Sequence, residues 1–382
     1  MSYQERYFPD LAYRAYLNHA AIAPLARPVA AAVRDMVDVY GRQGMKGWSY
    51  GAARRNNLRL NLAKMLGCDP DDLGLVSNTS HGLMTVAHEY PWQAGDRIVL
   101  LRGEFPGNVL PWLSAARRFH LEVLWLDPRD ISERTAALAK ALARRPRLIA
   151  LSWVQYQTGW TLSLEDLAAL RAESGIHVCL DAIQGLGALP MDLRRTPLDF
   201  VVSGAHKWLL SPEGCGFLYV HPDRMAALDP FFAGWQSTDQ PVDFLFEGAG
   251  HVDYRKPYRG EASRVEWATL SPYPFAGMDA AIGLFLEVGL DEISRRILEL
   301  ARYTRHLLTE AGFPVLRERA DAGIVSLPMA SPRLKETARR LDQAGIAVAT
   351  PDGHLRIAPH FYNREDQIDF AVDHLMRLAK LD

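Results

Sequence analysis

Lys207 stands in SGAHKWLLSPEGCGFLYV (203–220), after an apolar run that ends in a small-residue turn and before a glycine-rich strand. Trp208, Leu209 and Leu210 follow it directly. A lysine in such company is partly desolvated, which lowers its proton affinity and lets its amine form a Schiff base with a carbonyl. A solvated surface amine is the other reading. Asp181, in VCLDAIQG (178–185), directly follows an apolar run. A carboxylate there is costly unless a cation or strong donors meet it. A protonated pyridine nitrogen is one such partner, and holding that proton keeps the ring an electron sink. Capping the next helix is the alternative. Gln184 lies one turn on, placed to donate to a phenolate oxygen of the same ring. In SNTSHGL (77–83) a strand ends, Thr79 and Ser80 follow, and a helix begins. N–H groups at a helix N-terminus, with two hydroxyls, form an anion cradle, although Ser and Thr are also ordinary helix caps.

These residues need a scaffold that gathers strand ends. Apolar runs of strand length recur at 71–77, 96–102, 121–127, 147–154, 176–182, 197–204 and 214–220. Their Val, Ile and Leu content suits strands buried on both faces. Helix-length amphipathic stretches separate them, such as 133–146 and 163–175. In the second, Ser163 with Asp166 makes an N-cap pattern and Gly175 closes the helix. The alternation predicts an α/β fold with an open, mostly parallel sheet. Ligands of such sheets bind outside the carboxyl ends of the strands. The tail changes character. Helices at 290–312, 332–345 and 366–381, with short strands at 346–350 and 354–358, predict a small α+β domain. The division expected is an N-terminal arm over 1–15, a large domain over 16–275 and a small C-terminal domain over 276–382.

The 382 residues carry a formal net charge of −2, with acids and bases mixed along the chain. No basic block stands out, so nucleic acid and anionic membrane surfaces are poor partners. No run of about 18 apolar residues is present, which argues against a membrane span, and the first twenty residues lack a signal-peptide apolar stretch. Cys68, Cys179 and Cys215 are widely spaced. They form neither a disulfide framework nor a CxxC metal site, which points to a reducing, cytoplasmic setting with no metal. SNTSHGL does not supply the glycine pattern of a dinucleotide-binding oxidoreductase.

Taken together, D-x-x-Q, the small-residue turn with H-K, and their order along the chain resemble the class V aminotransferase family of fold-type I pyridoxal 5′-phosphate (PLP) enzymes. The resemblance runs from YLNHAAIAPL (16–25) to LRIAPHFYN (355–363). It implies a large mostly parallel domain, a small C-terminal domain and a homodimer with PLP near the interface. It implies that Lys207 carries PLP and moves the proton at the substrate Cα. Asp181 resembles the pyridinium partner and Gln184 the donor to the ring hydroxyl. Thr79, Ser80 and His206 match phosphate contacts, and Ser203 is a further one. Phe105, in GEFPGNVLPW (103–112), occupies the ring-stacking position. Thr269, in RVEWATLSPY (264–273), is similar to the threonine that reaches the partner subunit's phosphate. Arg356 resembles the arginine that pairs with the substrate carboxylate, and Asn18 and His19 fall in the motif that contributes substrate contacts.

Several positions depart from that pattern. The family often has a hydroxyl residue where this chain has Gly204. Cysteine desulfurases have a histidine at the position of Phe105, and a phenyl ring can stack but cannot transfer a proton. Tyr156 stands where many relatives have asparagine. No cysteine follows Cys215, which sits between two glycines, so the mobile cysteine that accepts sulfur as a persulfide is missing. The expected reaction acts at the α-carbon of an amino-acid substrate, by transamination or by C–S lyase β-elimination. Epimerisation is the alternative. A catalytically silent PLP-fold module of a regulator would call for a DNA-binding region, for which the N-terminal segment is too short and too neutral. Trp48, Phe105, Trp153 and Tyr156 suggest an apolar or aromatic pocket.

Overall fold

All seven predicted core strands form one sheet in the structure, a computed structural model that describes residues 1–316 and 321–380. The chain first makes a two-residue strand, β1 (Ala15–Tyr16). The sheet strands then follow as β2 (Leu73–Val76), β3 (Arg97–Leu101), β4 (Glu122–Leu126), β5 (Leu148–Ser152), β6 (His177–Asp181), β7 (Phe200–Gly204) and β8 (Gly216–Val220). Their order across the sheet is β2-β8-β7-β6-β5-β3-β4. Pairing is parallel from β4 through β7, and β8 runs antiparallel to both of its neighbours. β2 therefore runs with the parallel set, and six strands send their carboxyl ends to one edge.

Side chains alternate between the two faces, as the pleat requires. Ile149, Leu151, Val178, Leu180 and Val201 enter one core, which the helices Arg27–Gln43, Lys46–Leu66, Leu164–Ser174 and Pro272–Val288 cover. Leu148, Ala150, Cys179, Phe200 and Val202 enter the other, under Thr79–Glu89 and Leu110–Phe119. Gly82 makes the second packing possible. A Cβ there would lie 2.5 Å from Val202 Cγ1, so any side chain would push the helix off the sheet. Ser163 caps Leu164–Ser174 through Asp166 N at 3.1 Å, and Gly175 ends it with φ 67°, as predicted. The helix expected over 133–146 is shorter, Ala136–Ala143, and a separate helix, Pro128–Ser132, precedes it, with Arg134 at φ 48° between them.

The small unit is built from the helices Leu290–Glu310, Ser331–Gln343 and Glu365–Ala379 with β9 (Val325–Pro328), β10 (Ile346–Ala347) and β11 (His354–Ile357). Residue 381, the last of the helix predicted over 366–381, lies outside the described residues. Helix Pro272–Val288 packs on Arg27–Gln43 and Lys46–Leu66, and Phe275, Met278, Ile282 and Phe285 belong to the large core, as do Ile293 and Ile297 of the helix that follows. Pro272 occupies the first turn of its own helix, where its missing N–H costs nothing. At the other end, β1 pairs with β10, and Ala15 and Leu17 enter the small core. Residues 15–17 therefore join the small unit, while Tyr7, Phe8 and Ala20 on either side of them pack in the large core.

Candidate functional site

The edge that collects the carboxyl ends opens into a cavity of about 470 Å³. Each wall comes from a different strand end. Asn78, Thr79 and Ser80 follow β2; Phe105 and Gly107 follow β3; Ser152, Val154 and Tyr156 end or follow β5. Asp181, Ile183 and Gln184 end or follow β6, His206 and Lys207 follow β7, and Glu213 precedes β8. Pro351 and Arg356 come from the small unit, and Ala20, Ala21 and Ile22 from the N-terminal segment.

At the first wall, Asn78 caps the helix Thr79–Glu89, its Oδ1 accepting from His81 N at 2.9 Å. The Thr79 hydroxyl accepts from Gly204 N at 2.9 Å, which fixes the helix start to the end of β7. Gly204, the departure from the family pattern, has its reason here: a Cβ would lie 3.0 Å from Thr79 Oγ1. On the strand ends, Asp181 is buried and accepts from Ile183 N at 3.0 Å. Burial pushes its carboxyl up to about 6, against the Ile183 bond and the Lys207 charge, which both lower it. Gln184 is held at both ends of its amide. Oε1 accepts from Trp208 Nε1 at 3.0 Å, and Nε2 donates to the Ala20 carbonyl at 2.9 Å, leaving a second N–H available.

The Lys207 amine has no hydrogen bond or ion pair among the described residues. Burial lowers its amine to about 8, Arg356 lowers it further, and Asp181 opposes both. Its Nζ lies over the Phe105 ring, 5.7 Å from the centroid. Tyr156 meets Phe105 edge-on at 5.4 Å. Burial likewise lowers His206, with Lys207 adding to the effect and Glu213 opposing it. Arg356 is 4% exposed. Nη1 donates to the Tyr156 carbonyl at 2.6 Å, while the buried Nε has no partner and no carboxylate pairs with the guanidinium among the described residues. A buried arginine without an acid is costly and is brought down to about 10 by that burial.

The cavity therefore presents a depressed amine seeking a carbonyl, a buried carboxylate seeking a cation, a helix N-terminus with hydroxyls seeking an anion, and a phenyl ring still half exposed. PLP carries an aldehyde, a basic ring nitrogen, a phosphate and a flat face, so these residues fit it. The Aminotransferase class-V family model matches residues 15–375. The chain belongs to the class V aminotransferase family. Isopenicillin N epimerase of Streptomyces clavuligerus is 31% identical over 339 residues, covering 84% of this chain and 83% of the relative. A probable cysteine desulfurase of Methanothermobacter thermautotrophicus is 23% identical, covering 98% and 97%. Among solved structures, the cystine C–S lyase C-DES in complex with cysteine persulfide superposes with a TM-score of 0.86 at 25% identity, covering 97% and 99%. Like other members of the class V aminotransferase family, the chain is a PLP-dependent enzyme with the fold expected from its sequence.

Of the positions inferred from the class V resemblance, Lys207, Asp181, Gln184, Thr79, Ser80, His206, Phe105 and Arg356 meet in the cavity. Three do not. Ser203 shares the face of Val201, one residue out of phase with Asp181 and Gly204, and its hydroxyl donates to the Gly204 carbonyl at 2.8 Å; the pleat turns it away from the site. His19 is fully buried: Nδ1 donates to the Ala358 carbonyl at 2.8 Å and Nε2 accepts from the Tyr362 hydroxyl at 2.8 Å. Burial lowers it to about 4, so it is a neutral strut between the N-terminal segment and the small unit. Asn18 bridges to Ala358, its buried Oδ1 is unpartnered, and it does not line the cavity. Thr269 is exposed and also outside this chain's cavity. Trp153 packs against Gly185 in the core and Trp48 against Phe246, which leaves Phe105 and Tyr156 as the aromatic wall. Sequence reasoning missed Ser152, Glu213 and, behind the wall, Glu104. Ser152 was findable as the polar residue that ends an apolar strand.

Proposed function

We propose that the chain transforms amino acids bearing a free α-carboxylate, by transamination or by β-elimination of C–S lyase type, with Lys207 as the group that moves the Cα proton. The observation that carries this reading is the unpaired Arg356 guanidinium facing Lys207 and Asp181 across one cavity. Arg356 offers a planar donor fork to the carboxylate and so fixes its orientation as well as its charge. Bound PLP supplies the electron sink for the pair left at Cα. Asp181 holds the proton of the ring nitrogen, Phe105 covers one face and excludes water, and Lys207 accepts the Cα proton and returns it. A mobile cysteine plays no part in this reading, because Cys68, Cys179 and Cys215 are buried and none lines the cavity. Sulfur, when it leaves, leaves in a free product. The C–S lyase relative supports that form of the reaction.

Epimerisation is the second reading, supported by the relative from Streptomyces. It needs a proton donor on each side of Cα, and the phenyl ring of Phe105, which faces Lys207 Nζ, supplies none. We also propose a homodimer. Trp235, Phe244, Phe246 and Tyr254 leave apolar surface exposed on one segment, which a second copy would cover. Thr269, exposed and outside its own cavity, is then free to reach the partner's phosphate. A panel of amino acids, cystine and cysteine included, incubated with the PLP-loaded enzyme and analysed by mass spectrometry tests the reaction. Keto acid with sulfur-bearing product and no acceptor means elimination; keto acid only with an amino acceptor means transamination; solvent deuterium at Cα with inverted chirality means epimerisation and overturns the main reading.

A further inference from the structure

The segment that carries Phe105 is tied to the site from behind. Glu104 Oε1 accepts from the Ser152 backbone N–H at 2.7 Å, and Oε2 accepts from the Ser152 hydroxyl. Ser152 ends β5, lines the cavity and pairs in register with Asp181 at the end of β6. Asn108 Nδ2 reaches Ser152 Oγ at 3.4 Å, and Asn108 Oδ1 accepts from the buried Trp112 indole at 3.1 Å. A second tie, from Gln155 Nε2 to the Gly103 carbonyl at 2.6 Å, fastens the same two segments. No cation pairs with Glu104 among the described residues. The titratable group that acts on it is Asp181 on β6, with Lys207 acting on Asp181 in turn; Arg102 on its own segment is exposed.

We propose that Glu104 is a positioning residue: through Ser152 it holds the Phe105 wall against the ends of β5 and β6, and its negative charge stands behind Asp181 and strengthens that residue's hold on the protonated ring of PLP. The inference rests on the reading of Asp181 as the pyridinium partner. A buried carboxylate with a second, half-buried carboxylate behind it binds a cation more tightly than it would alone, provided both are ionised. Whether Glu104 is ionised depends on pH. Burial pushes its carboxyl up to about 7, the Ser152 bonds oppose the rise, and the Asp181 charge adds to it. Below that midpoint Glu104 is neutral and contributes only its hydrogen bonds. Above it the charge is present.

The test is the affinity of apoprotein for PLP, measured by equilibrium titration roughly one pH unit below and one above the Glu104 midpoint. Glu104→Gln keeps an acceptor for the Ser152 N–H and a donor for its hydroxyl, and removes the charge. We expect binding to weaken by about 3–10-fold above the midpoint and to match the wild type below it. Glu104→Asp keeps the charge and should retain the wild-type pH dependence, so the two variants separate charge from packing. An affinity loss in Glu104→Gln of the same size at both pH values would make the residue purely structural and overturn the proposal, as would no loss at all. Asp181→Asn, titrated alongside, separates the two levels. If it weakens PLP binding while Glu104→Gln does not, only this inference falls; if neither variant weakens it, the placement of the ring nitrogen falls as well.

Discussion

Tyr156 holds Arg356 with its backbone, the carbonyl oxygen accepting from Nη1 at 2.6 Å. The tie joins the segment after β5 to β11, two elements that belong to separate cores. The side chain of Tyr156 is therefore free to form the aromatic wall with Phe105, while its main chain fixes one arm of the guanidinium. Nε remains unpartnered for a ligand.

Arg356→Lys keeps the charge and loses the fork. It should lower kcat/KM by about 10–100-fold, the scale of a lost charge-assisted hydrogen bond. PLP content and the cofactor's absorbance should stay as in the wild type. Steady-state kinetics on the best substrate, with Arg356→Ala alongside, checks this. Normal processing by both variants would make the arginine structural.

The amine of Lys207 should behave as a base with a midpoint about 8, well below a solvated lysine. Capture of a small neutral aldehyde, trapped by cyanoborohydride and read as a mass increase on the Lys207 peptide, should rise through that pH and then level off. The neutral amine is the nucleophile, so the rate grows with pH. With PLP and borohydride, the wild type should gain a stable adduct at Lys207 and Lys207→Ala should gain none while remaining folded. A capture midpoint near 10.5, the ordinary lysine value, would mean that the amine is solvated.

Asp181→Asn should act in opposite directions with and without PLP. In the apoprotein the carboxyl titrates at about 6 instead of 3.8, so its folded-state proton affinity is raised. Its stability contribution is present below the lower value and lost as pH rises through the higher one. The variant should therefore gain apoprotein stability relative to wild type, and the gain should grow as pH rises through about 6. PLP affinity should fall by about 10–100-fold, because the ring cation loses its buried partner. Thermal melts across pH and cofactor titration check the two halves separately.

No persulfide should form on the protein during turnover with sulfur substrates. Burial pushes Cys68 and Cys215 up to about 12 and holds Cys179 well above its ordinary value, so the reactive thiolate is scarce. Mass spectrometry of the enzyme quenched during turnover, and activity of Cys215→Ala, measure this. A persulfide on any of the three, or loss of activity in Cys215→Ala with the fold intact, would reverse the reading.

The sheet was legible in the sequence because its strands are buried on both faces, which leaves continuous apolar runs with polar residues at the carboxyl ends. Lys207, Asp181 and the Thr79–Ser80 turn stood out for that reason: each lies at or just past the end of an apolar run. The motif order along the chain carried the rest of the cofactor set, Arg356 included. Helix Pro272–Val288 was not among the predicted elements, and only its packing showed that it belongs with the large core. What only the tertiary structure decided was direction and contact. A single-residue step in the pleat turns Ser203 to the opposite face from Asp181. His19 closes a hydrogen-bonded contact with Ala358 and Tyr362, more than three hundred residues away in sequence, so it serves packing rather than the cavity. Glu104 gains its place only because β3 and β5 lie side by side and bring it to Ser152. Composition and spacing state which groups can do chemistry, but strand pairing and burial determine which of them face the same space.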